Sequence, residues 1–369
     1  MDETVSISPR APKAVLRRRF DLARDDLAEL LSSEPAYRVK QVWQGLYEQG
    51  LEPDEMTTLP KVLRGRLTVE ADLGPSLELA KETTSTDGQT IKWLWALHDG
   101  AQIETVLMHY PERSTVCISS QAGCAMGCGF CATGQAGFQR QLRVGEIVEQ
   151  VVRARRRAQN DGRRLSNVVF MGMGEPMANY APVWGSVKAL HDELGLSSRH
   201  LTISTVGIVP GIRKLMDEDL PVNLAVSLHA ADDEKRNQLV PINRTYPLAM
   251  LADACADYFE ATRRRVSFEW ALIAGVNDSP ADARQLSAYA RPLHGHVNLI
   301  PLNPTPGYAT VGSSPRRVRE FRDELELLGV NATVRRNRGT TIDAACGQLA
   351  ARAKADLAVP ASEPVGFST

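Results

Sequence analysis

The sequence contains no apolar run that approaches the roughly 20 residues needed to cross a bilayer, so it offers no candidate membrane span. Its first 19 residues are polar, carry their arginines late and lack an apolar core, which is not typical of a secretory signal. Neither sign of charge is in excess, since 43 Lys and Arg residues face 44 Asp and Glu residues. These absences predict a cytoplasmic protein without a membrane partner.

Cysteine is also scarce, with six residues in a chain of 369. A disulfide framework is typical of short secreted chains, whereas thiols in a reducing compartment serve metal binding and catalysis. The remaining composition is ordinary, with 43% hydrophobic and 24% charged residues, so a sizeable core is expected. The length predicts two or three domains.

Three of the six cysteines, Cys124, Cys128 and Cys131, lie in one glycine-rich loop with the spacing C-x3-C-x2-C. Three neighbouring thiolates can ligate three irons of a [4Fe-4S] cluster and leave the fourth iron open to a small molecule. This spacing resembles the signature of radical S-adenosylmethionine (SAM) enzymes. The alternative is a structural zinc site, but zinc requires four ligands, usually in paired C-x2-C units, and the sequence has no second such pair.

The N-terminal part of the chain has a helical pattern followed by a β pattern. Apolar residues recur at helical spacing at Val39, Val42, Trp43, Leu46 and Tyr47, and further short helices are predicted at 54–58 and 61–71. Extended runs at 90–97 and 102–108, joined through Asp99-Gly100, predict a β-hairpin. We therefore predict a flexible arm at 1–20, a helical accessory domain at 21–75, a β-extension at 76–111, a catalytic core at 112–349 and a tail at 350–369.

From Ser114 onward, strands alternate with helices. Six strands are predicted at 115–119, 167–171, 201–205, 223–228, 266–271 and 297–300, and a helix with one buried face is predicted at 144–157. Such βα units indicate an α/β fold in which a parallel sheet curves into a partial (β/α)6 barrel. In barrels of this kind the active residues gather at the C-terminal ends of the strands.

Polar motifs follow several of these strand ends. Glu175, in Gly172-Met173-Gly174-Glu175-Pro176, is expected to accept the ammonium group of SAM, although the segment by itself could be an ordinary βα turn. Four side chains, which individually could only satisfy backbone groups or the core, could together hold a ribose, an adenine or a carboxylate. These are Ser204, Ser227, His229 and Asn303.

Two further cysteines have no role in the cluster loop. Cys346 follows a basic stretch that includes Arg335 and Arg338, and nearby arginines favour the nucleophilic thiolate. Cys117 lies in the first strand of the core. Either could be a small buried hydrophobe, which is our interpretation of Cys255. Several arginine clusters could contact a phosphate-rich partner, although each alone is typical of a solvated face.

Taken together, the motifs resemble those of the RlmN family of radical SAM methyltransferases, which act on C2 of adenosine in 23S rRNA and tRNA. The resemblance extends from the helical N-terminal region to Leu349 and includes the terminal block Arg338-Gly339 to Leu349. It implies a [4Fe-4S] cluster on Cys124, Cys128 and Cys131, and SAM on Gly174, Glu175, Ser204, Ser227, Leu228, His229 and Asn303. It also implies that Cys346 carries the methyl group, that Cys117 resolves the intermediate by forming a disulfide with Cys346, and that Glu104 accepts a proton.

The family mechanism consumes two SAM molecules in each turnover. The first methylates Cys346, and the second yields a 5′-deoxyadenosyl radical that activates the new methyl group for addition to adenine C2. The N-terminal domain and the arginine clusters would hold RNA, and a flavodoxin- or ferredoxin-type donor would supply electrons to a monomeric enzyme. Three alternatives stay open: a Cfr-like adenosine C8 methyltransferase, a radical SAM activase that needs neither Cys117 nor Cys346, and a zinc-bearing RNA-binding module.

Overall fold

The computed structural model describes residues 19–69, 73–305, 308–309, 311–335 and 338–349. Most of the predicted arm and the whole predicted tail at 350–369 lie outside these residues. The chain divides into two compact units, with the boundary between Pro75 and Ser76.

The described residues of the first unit form three α-helices: α1 (Arg24–Leu30), α2 (Tyr37–Tyr47) and α3 (Lys61–Val69). Helix α2 has the apolar face predicted from its sequence, and Trp43 stacks on Tyr47 with ring centroids 4.7 Å apart. The helix predicted at 54–58 is wrong, since the chain forms only a 3₁₀ turn at Pro53–Glu55, where the proline fixes the first position of the turn.

The second unit begins with an antiparallel meander of β1 (Leu77–Thr84), β2 (Thr90–Leu97) and β3 (Gln102–His109). The predicted hairpin is confirmed as β2 and β3, but β1 adds a third strand that the sequence analysis missed. Strand β3 pairs antiparallel with β4 (Ser114–Cys117), so the extension continues the sheet of the core. A separate two-stranded sheet follows, formed by β5 (Gln121–Gly123) and β6 (Phe138–Gln141).

Beyond β4 the main sheet is parallel, in the order β4-β7-β8-β9-β10-β11-β12. The added strands are β7 (Leu165–Phe170), β8 (Leu201–Thr205), β9 (Asn223–Ser227), β10 (Ser267–Leu272), β11 (His296–Pro301) and the short β12 (Ala332–Val334). All six predicted core strands are present, with ends displaced by at most two residues. Among the described strands β12 does not pair with β4, so the barrel is partial, as predicted.

Helices connect the parallel strands. They are α4 (Ala132–Ala136), α5 (Val144–Asn160), α6 (Tyr180–Asp192), α7 (Val209–Met216), α8 (Asp233–Leu239), α9 (Leu248–Thr262), α10 (Pro280–Ala290) and α11 (Pro315–Leu327). Helix α5 buries the predicted face, with Ile147, Val148 and Val151 each 0% exposed. Burial of each such side chain contributes on the order of 1.5–3 kcal/mol. No helix in the described part of the chain is long and apolar enough to span a membrane.

Candidate active site

The cysteine loop leaves β5 and is closed by the pairing of β5 with β6. The backbone N–H of Cys124 donates to the carbonyl oxygen of Gly137 at 2.9 Å. Gly123 has φ +75°, and a Cβ there would lie 2.0 Å from that same carbonyl oxygen, so no larger residue fits without moving the backbone. The loop then reaches Cys131, which precedes α4.

The thiols of the loop face a cavity of about 160 Å³ at the C-terminal ends of the barrel strands. No three His, Cys, Asp or Glu side chains in the described residues converge closely enough to hold a single metal ion. The cavity instead collects most of the residues predicted from sequence. Its lining includes Cys124, Cys128, Cys131, Gly174, Glu175, Ser204, Ser227, His229 and Cys346.

Burial governs the chemistry of the cysteine thiols. It raises the pKa of Cys124 to about 11 and raises the pKa of Cys128 further, with the neighbouring thiols acting in the same direction. The thiols of Cys124 and Cys128 are therefore neutral until a metal binds and displaces their protons. Three free thiols in a tight loop beside an open cavity fit a cluster with soft ligands.

Glu175 is one of two carboxylates that line this cavity, the other being Glu269, and it is 2% exposed. Its two oxygens accept hydrogen bonds from the backbone N–H groups of Met177 at 3.0 Å and Val206 at 2.8 Å. Burial nevertheless raises the pKa of Glu175 to about 7. No side chain in the described part of the chain forms an ion pair with Glu175, so an ammonium group placed in the cavity would stabilise its charged form.

His229 follows β9 in a left-handed backbone conformation, with φ +58°. Its Nδ1 accepts a hydrogen bond from the backbone N–H of Ala271 at 3.0 Å, which leaves the ring proton on Nε2. Burial lowers the pKa of His229 to about 3, and the charge of Arg236 acts in the same direction. His229 is therefore a neutral hydrogen-bond donor whose ring packs edge-on against Phe130 at 4.9 Å.

Two hydrogen bonds connect the segment that carries Cys346 to the start of α4, directly after the cysteine loop. The N–H of Ala132 donates to the carbonyl oxygen of Gly347 at 2.8 Å, and the hydroxyl of Thr133 donates to that of Leu349 at 2.6 Å. Both donors lie on α4, directly after Cys131. The structure thus brings Cys346 to the cavity although it lies far from the loop in sequence.

Cys346 also lines a second, smaller cavity of about 30 Å³, together with Cys117. Both cysteines are free thiols. Burial raises the pKa of Cys117 to about 12, a thiolate at Cys346 acts in the same direction, and the charge of Arg335 opposes both. Cys117 and Cys346 therefore line one cavity, and Arg335 is a cation that lines it with them.

Arg335 and Glu269 are two charged residues that line this site and form an ion pair. The sequence did not predict this pair. Their side chains are 3.6 Å apart, and Asn298 donates to the other oxygen of Glu269 at 2.8 Å. The negative charge of a Cys346 thiolate, followed by that of Glu269, raises the pKa of Arg335 above its usual range. A charged residue inside the apolar strand Ser-Phe-Glu-Trp-Ala-Leu was the signal that could have identified Glu269.

Three residues predicted from the resemblance do not line either cavity described above. Leu228 is 0% exposed, and its carbonyl oxygen accepts a hydrogen bond from Arg236 at 3.0 Å. Asn303 donates to the carbonyl oxygen of Cys346 at 3.1 Å. Glu104 is 5% exposed on β3 and pairs with Lys92 at 3.0 Å. Their predicted roles stay predictions.

Comparison with known proteins identifies the class. A family profile described as the Radical SAM superfamily matches residues 118–286. A crystal structure of a radical SAM methyltransferase from Sphaerobacter thermophilus is similar with a TM-score of 0.87 and 48% identity, covering 90% of this chain and 99% of that chain. The fold and the matched family define a radical SAM methyltransferase, an enzyme that uses a [4Fe-4S] cluster and SAM.

Curated relatives narrow the assignment further. A Parafrankia protein named probable dual-specificity RNA methyltransferase RlmN is 52% identical over 354 residues, which cover 91% of this chain and 92% of the relative. The Myxococcus xanthus protein named dual-specificity RNA methyltransferase RlmN 1 is 49% identical over 337 residues, which cover 90% of this chain and 94% of the relative. The chain belongs to the RlmN family of radical SAM RNA methyltransferases.

Proposed function

We propose that this enzyme methylates C2 of adenosine in 23S rRNA, in the peptidyl-transferase region, and in the anticodon loop of tRNA. The names of the relatives support an RNA substrate. The observation that carries the proposal is that Cys346 lines both the cavity of the cysteine loop and the cavity of Cys117. A target base must leave its stack to reach such a site.

The cavity residues would hold the cofactors. Cys124, Cys128 and Cys131 would ligate the cluster, and Glu175 would accept the ammonium group of SAM. The other SAM contacts would come from Gly174, Ser204, Ser227, Leu228, His229 and Asn303. When bound, the cluster and SAM supply the radical chemistry, with electrons from a flavodoxin- or ferredoxin-type protein. We propose two SAM molecules per turnover and a monomeric enzyme.

Cys346 is proposed as the methyl carrier, because C2 of adenine is electron-poor and a weak nucleophile. Its thiolate would attack the methyl carbon of SAM and become a thioether, and S-adenosylhomocysteine would leave. Arg335 supports this step, since its guanidinium interacts with negative charge on Cys346. After loss of one hydrogen atom to the radical that the second SAM supplies, the methylene radical on Cys346 would add to C2 and link enzyme to RNA.

Glu104 and Cys117 would complete the turnover. The radical adduct would give up one electron, which would return to the flavodoxin- or ferredoxin-type protein that supplies the electrons. Its C2 proton would pass to Glu104, a carboxylate that pairs with Lys92. The thiolate of Cys117 would then attack the sulfur of Cys346. A disulfide would form, the bond from sulfur to methylene would break, and protonation of the methylene carbon would give the product methyl group. The disulfide must be reduced before the next turnover.

Anaerobic reconstitution with iron, sulfide, SAM and dithionite tests the proposal, with unmodified rRNA and tRNA supplied separately. Mass spectrometry of the digested nucleosides against 2-methyl- and 8-methyladenosine standards is expected to find 2-methyladenosine in both RNAs. A product of 8-methyladenosine would instead favour the Cfr-like alternative. Cleavage of SAM without any methylated nucleoside, together with retained cleavage in Cys346→Ala, would favour an activase.

A further inference from the structure

A buried arginine lies behind the ends of β8 and β9. Arg236, on α8, is 0% exposed. Its guanidinium donates hydrogen bonds to acceptors that are all neutral. They are the backbone carbonyl oxygens of Val206 (2.7 Å), Ser227 (3.3 Å) and Leu228 (3.0 Å) and the side-chain oxygen of Asn243 (2.7 Å).

Within the described part of the chain, no carboxylate forms an ion pair with Arg236. The charge of Asp233 acts on Arg236, but the hydrogen-bond connection between them passes through Asn243, whose amide nitrogen donates to Asp233 Oδ1 at 2.8 Å. Arginine remains protonated in proteins, and a buried charge is costly unless an opposite charge compensates it. The arrangement therefore leaves room for a negative group that the carboxylates do not supply.

Besides Glu175, which accepts from the backbone N–H of Val206, the cysteine loop is the nearby part of the site that can become negative. Cys128 is 6% exposed, and the charge of Arg236 lowers the pKa of its thiol, against the larger effects of burial and the neighbouring thiols. Pro241, which follows α8, lies close to the loop, because a Cβ on Gly127 would lie 4.0 Å from its ring. Ser227, one of the acceptors of Arg236, lines the same cavity as Cys128.

We propose that Arg236 is the buried counter-charge of the iron–sulfur cluster and raises its reduction potential. This inference rests on the proposed function only for the assignment of the three thiolates. A [4Fe-4S] core with three thiolates carries one net negative charge when oxidised and two after it accepts an electron from the flavodoxin- or ferredoxin-type donor. A fixed positive charge in a poorly solvated interior stabilises the more negative, reduced form more strongly.

The competing explanation is that Arg236 only ties strand ends together through its hydrogen bonds. Arg236→Met removes both the charge and the hydrogen bonds, whereas Arg236→Lys keeps the charge with fewer donors. The double variant Asp233→Asn/Asn243→Asp keeps the arginine and the net charge but moves a carboxylate onto the guanidinium. Arg317→Met is the control, because Arg317 also donates to a backbone carbonyl, that of Asp278, but it pairs with Glu324, and neither of these partners lines the cavity.

The full-length variants are reconstituted anaerobically, and the cluster is titrated with dithionite while its EPR signal is recorded. We expect a more negative midpoint potential for Arg236→Met and for the double variant, and a wild-type potential for Arg236→Lys and Arg317→Met. Melting temperatures with and without cluster give a second readout. Cluster loading is expected to raise the melting temperature less in Arg236→Met than in the wild type.

Three results would overturn the inference: wild-type potentials in both Arg236→Met and the double variant, a potential in Arg236→Lys as low as in Arg236→Met, or equal gains in melting temperature on loading. If Arg236→Met does not fold, the double variant decides the question, because it retains the arginine. If the wild-type protein itself assembles no cluster, the assignment of the three thiolates fails, and the proposed function fails with it.

Discussion

The side-chain amide of Asn303 donates a hydrogen bond to the backbone carbonyl oxygen of Cys346 at 3.1 Å. Asn303 is 3% exposed, and it follows β11 at the edge of the barrel where the site lies. The resemblance assigns this residue to SAM, whereas the structure connects it to the proposed methyl carrier. The two roles predict different kinetic effects.

Replacement of Asn303 by alanine is expected to lower kcat about fivefold to tenfold, since a lost buried hydrogen bond costs about 1 kcal/mol or slightly more. If Asn303 acts by positioning Cys346, the Kd for SAM will change little and the fraction of methylated Cys346 will fall. Calorimetric titration with SAM separates the roles. If the Kd for SAM rises by the same factor by which kcat falls, Asn303 acts in SAM binding instead.

Cys117→Ala is expected to trap the enzyme on its RNA, because the adduct on Cys346 then lacks the thiol that releases it. Denaturing gels should show a covalent enzyme–RNA band that grows with time. Cys255→Ala is the matched control, since Cys255 is also a buried free thiol but lies on α9. Multiple turnover by Cys117→Ala, or an equal band in Cys255→Ala, would disprove the resolving role.

Arg335→Gln is expected to slow methylation of Cys346 by roughly tenfold or more, since each 1.4 kcal/mol of lost thiolate stabilisation costs about a factor of ten. Peptide mass spectrometry after timed exposure to SAM measures this step without RNA. Arg316→Gln serves as the control, because Arg316 is exposed on α11 and pairs only locally with Glu320. Equal methylation rates in wild type and Arg335→Gln would exclude the electrostatic role.

Glu175 predicts a pH dependence of stability in the cluster-free protein. Burial raises its folded pKa from 4.5 to about 7, so the folded state binds the proton more tightly than the unfolded state. Its contribution to stability is present below pH 4.5 and is lost as the pH rises towards 7, by an amount on the order of 3 kcal/mol. Glu175→Gln should therefore gain in melting temperature relative to wild type across this range. A difference that does not change with pH would contradict the assignment.

The sequence allowed the strand–helix alternation of the core to be predicted because each βα unit is a local pattern. The motifs at strand ends then followed from the topology of parallel sheets. Strand β1 was missed because its residues from Glu78 onward are mostly exposed and its pairing is interrupted by a bulge, so no alternation marks it. Register irregularities of this kind leave little trace in sequence.

Tertiary contacts explain the other omissions in the site. Helix α8 reads Asp-Glu-Lys-Arg-Asn-Gln-Leu, which is typical of a solvated helix, yet Arg236 is completely buried there. Glu269 lies on β10 and Arg335 follows β12, so the two side chains meet across the intervening strand β11. Neither relationship has a local signal, because each depends on partners distant in the chain.

The most direct test of the account follows the methyl group itself. The enzyme is incubated with SAM whose methyl group carries deuterium, first without RNA and then with RNA and reductant. The account predicts a labelled thioether on Cys346 in the first stage and, in the second, a product methyl group that has exchanged one deuterium for hydrogen. An intact trideuterated methyl group in the product, with no label on Cys346, would show direct transfer and contradict the account.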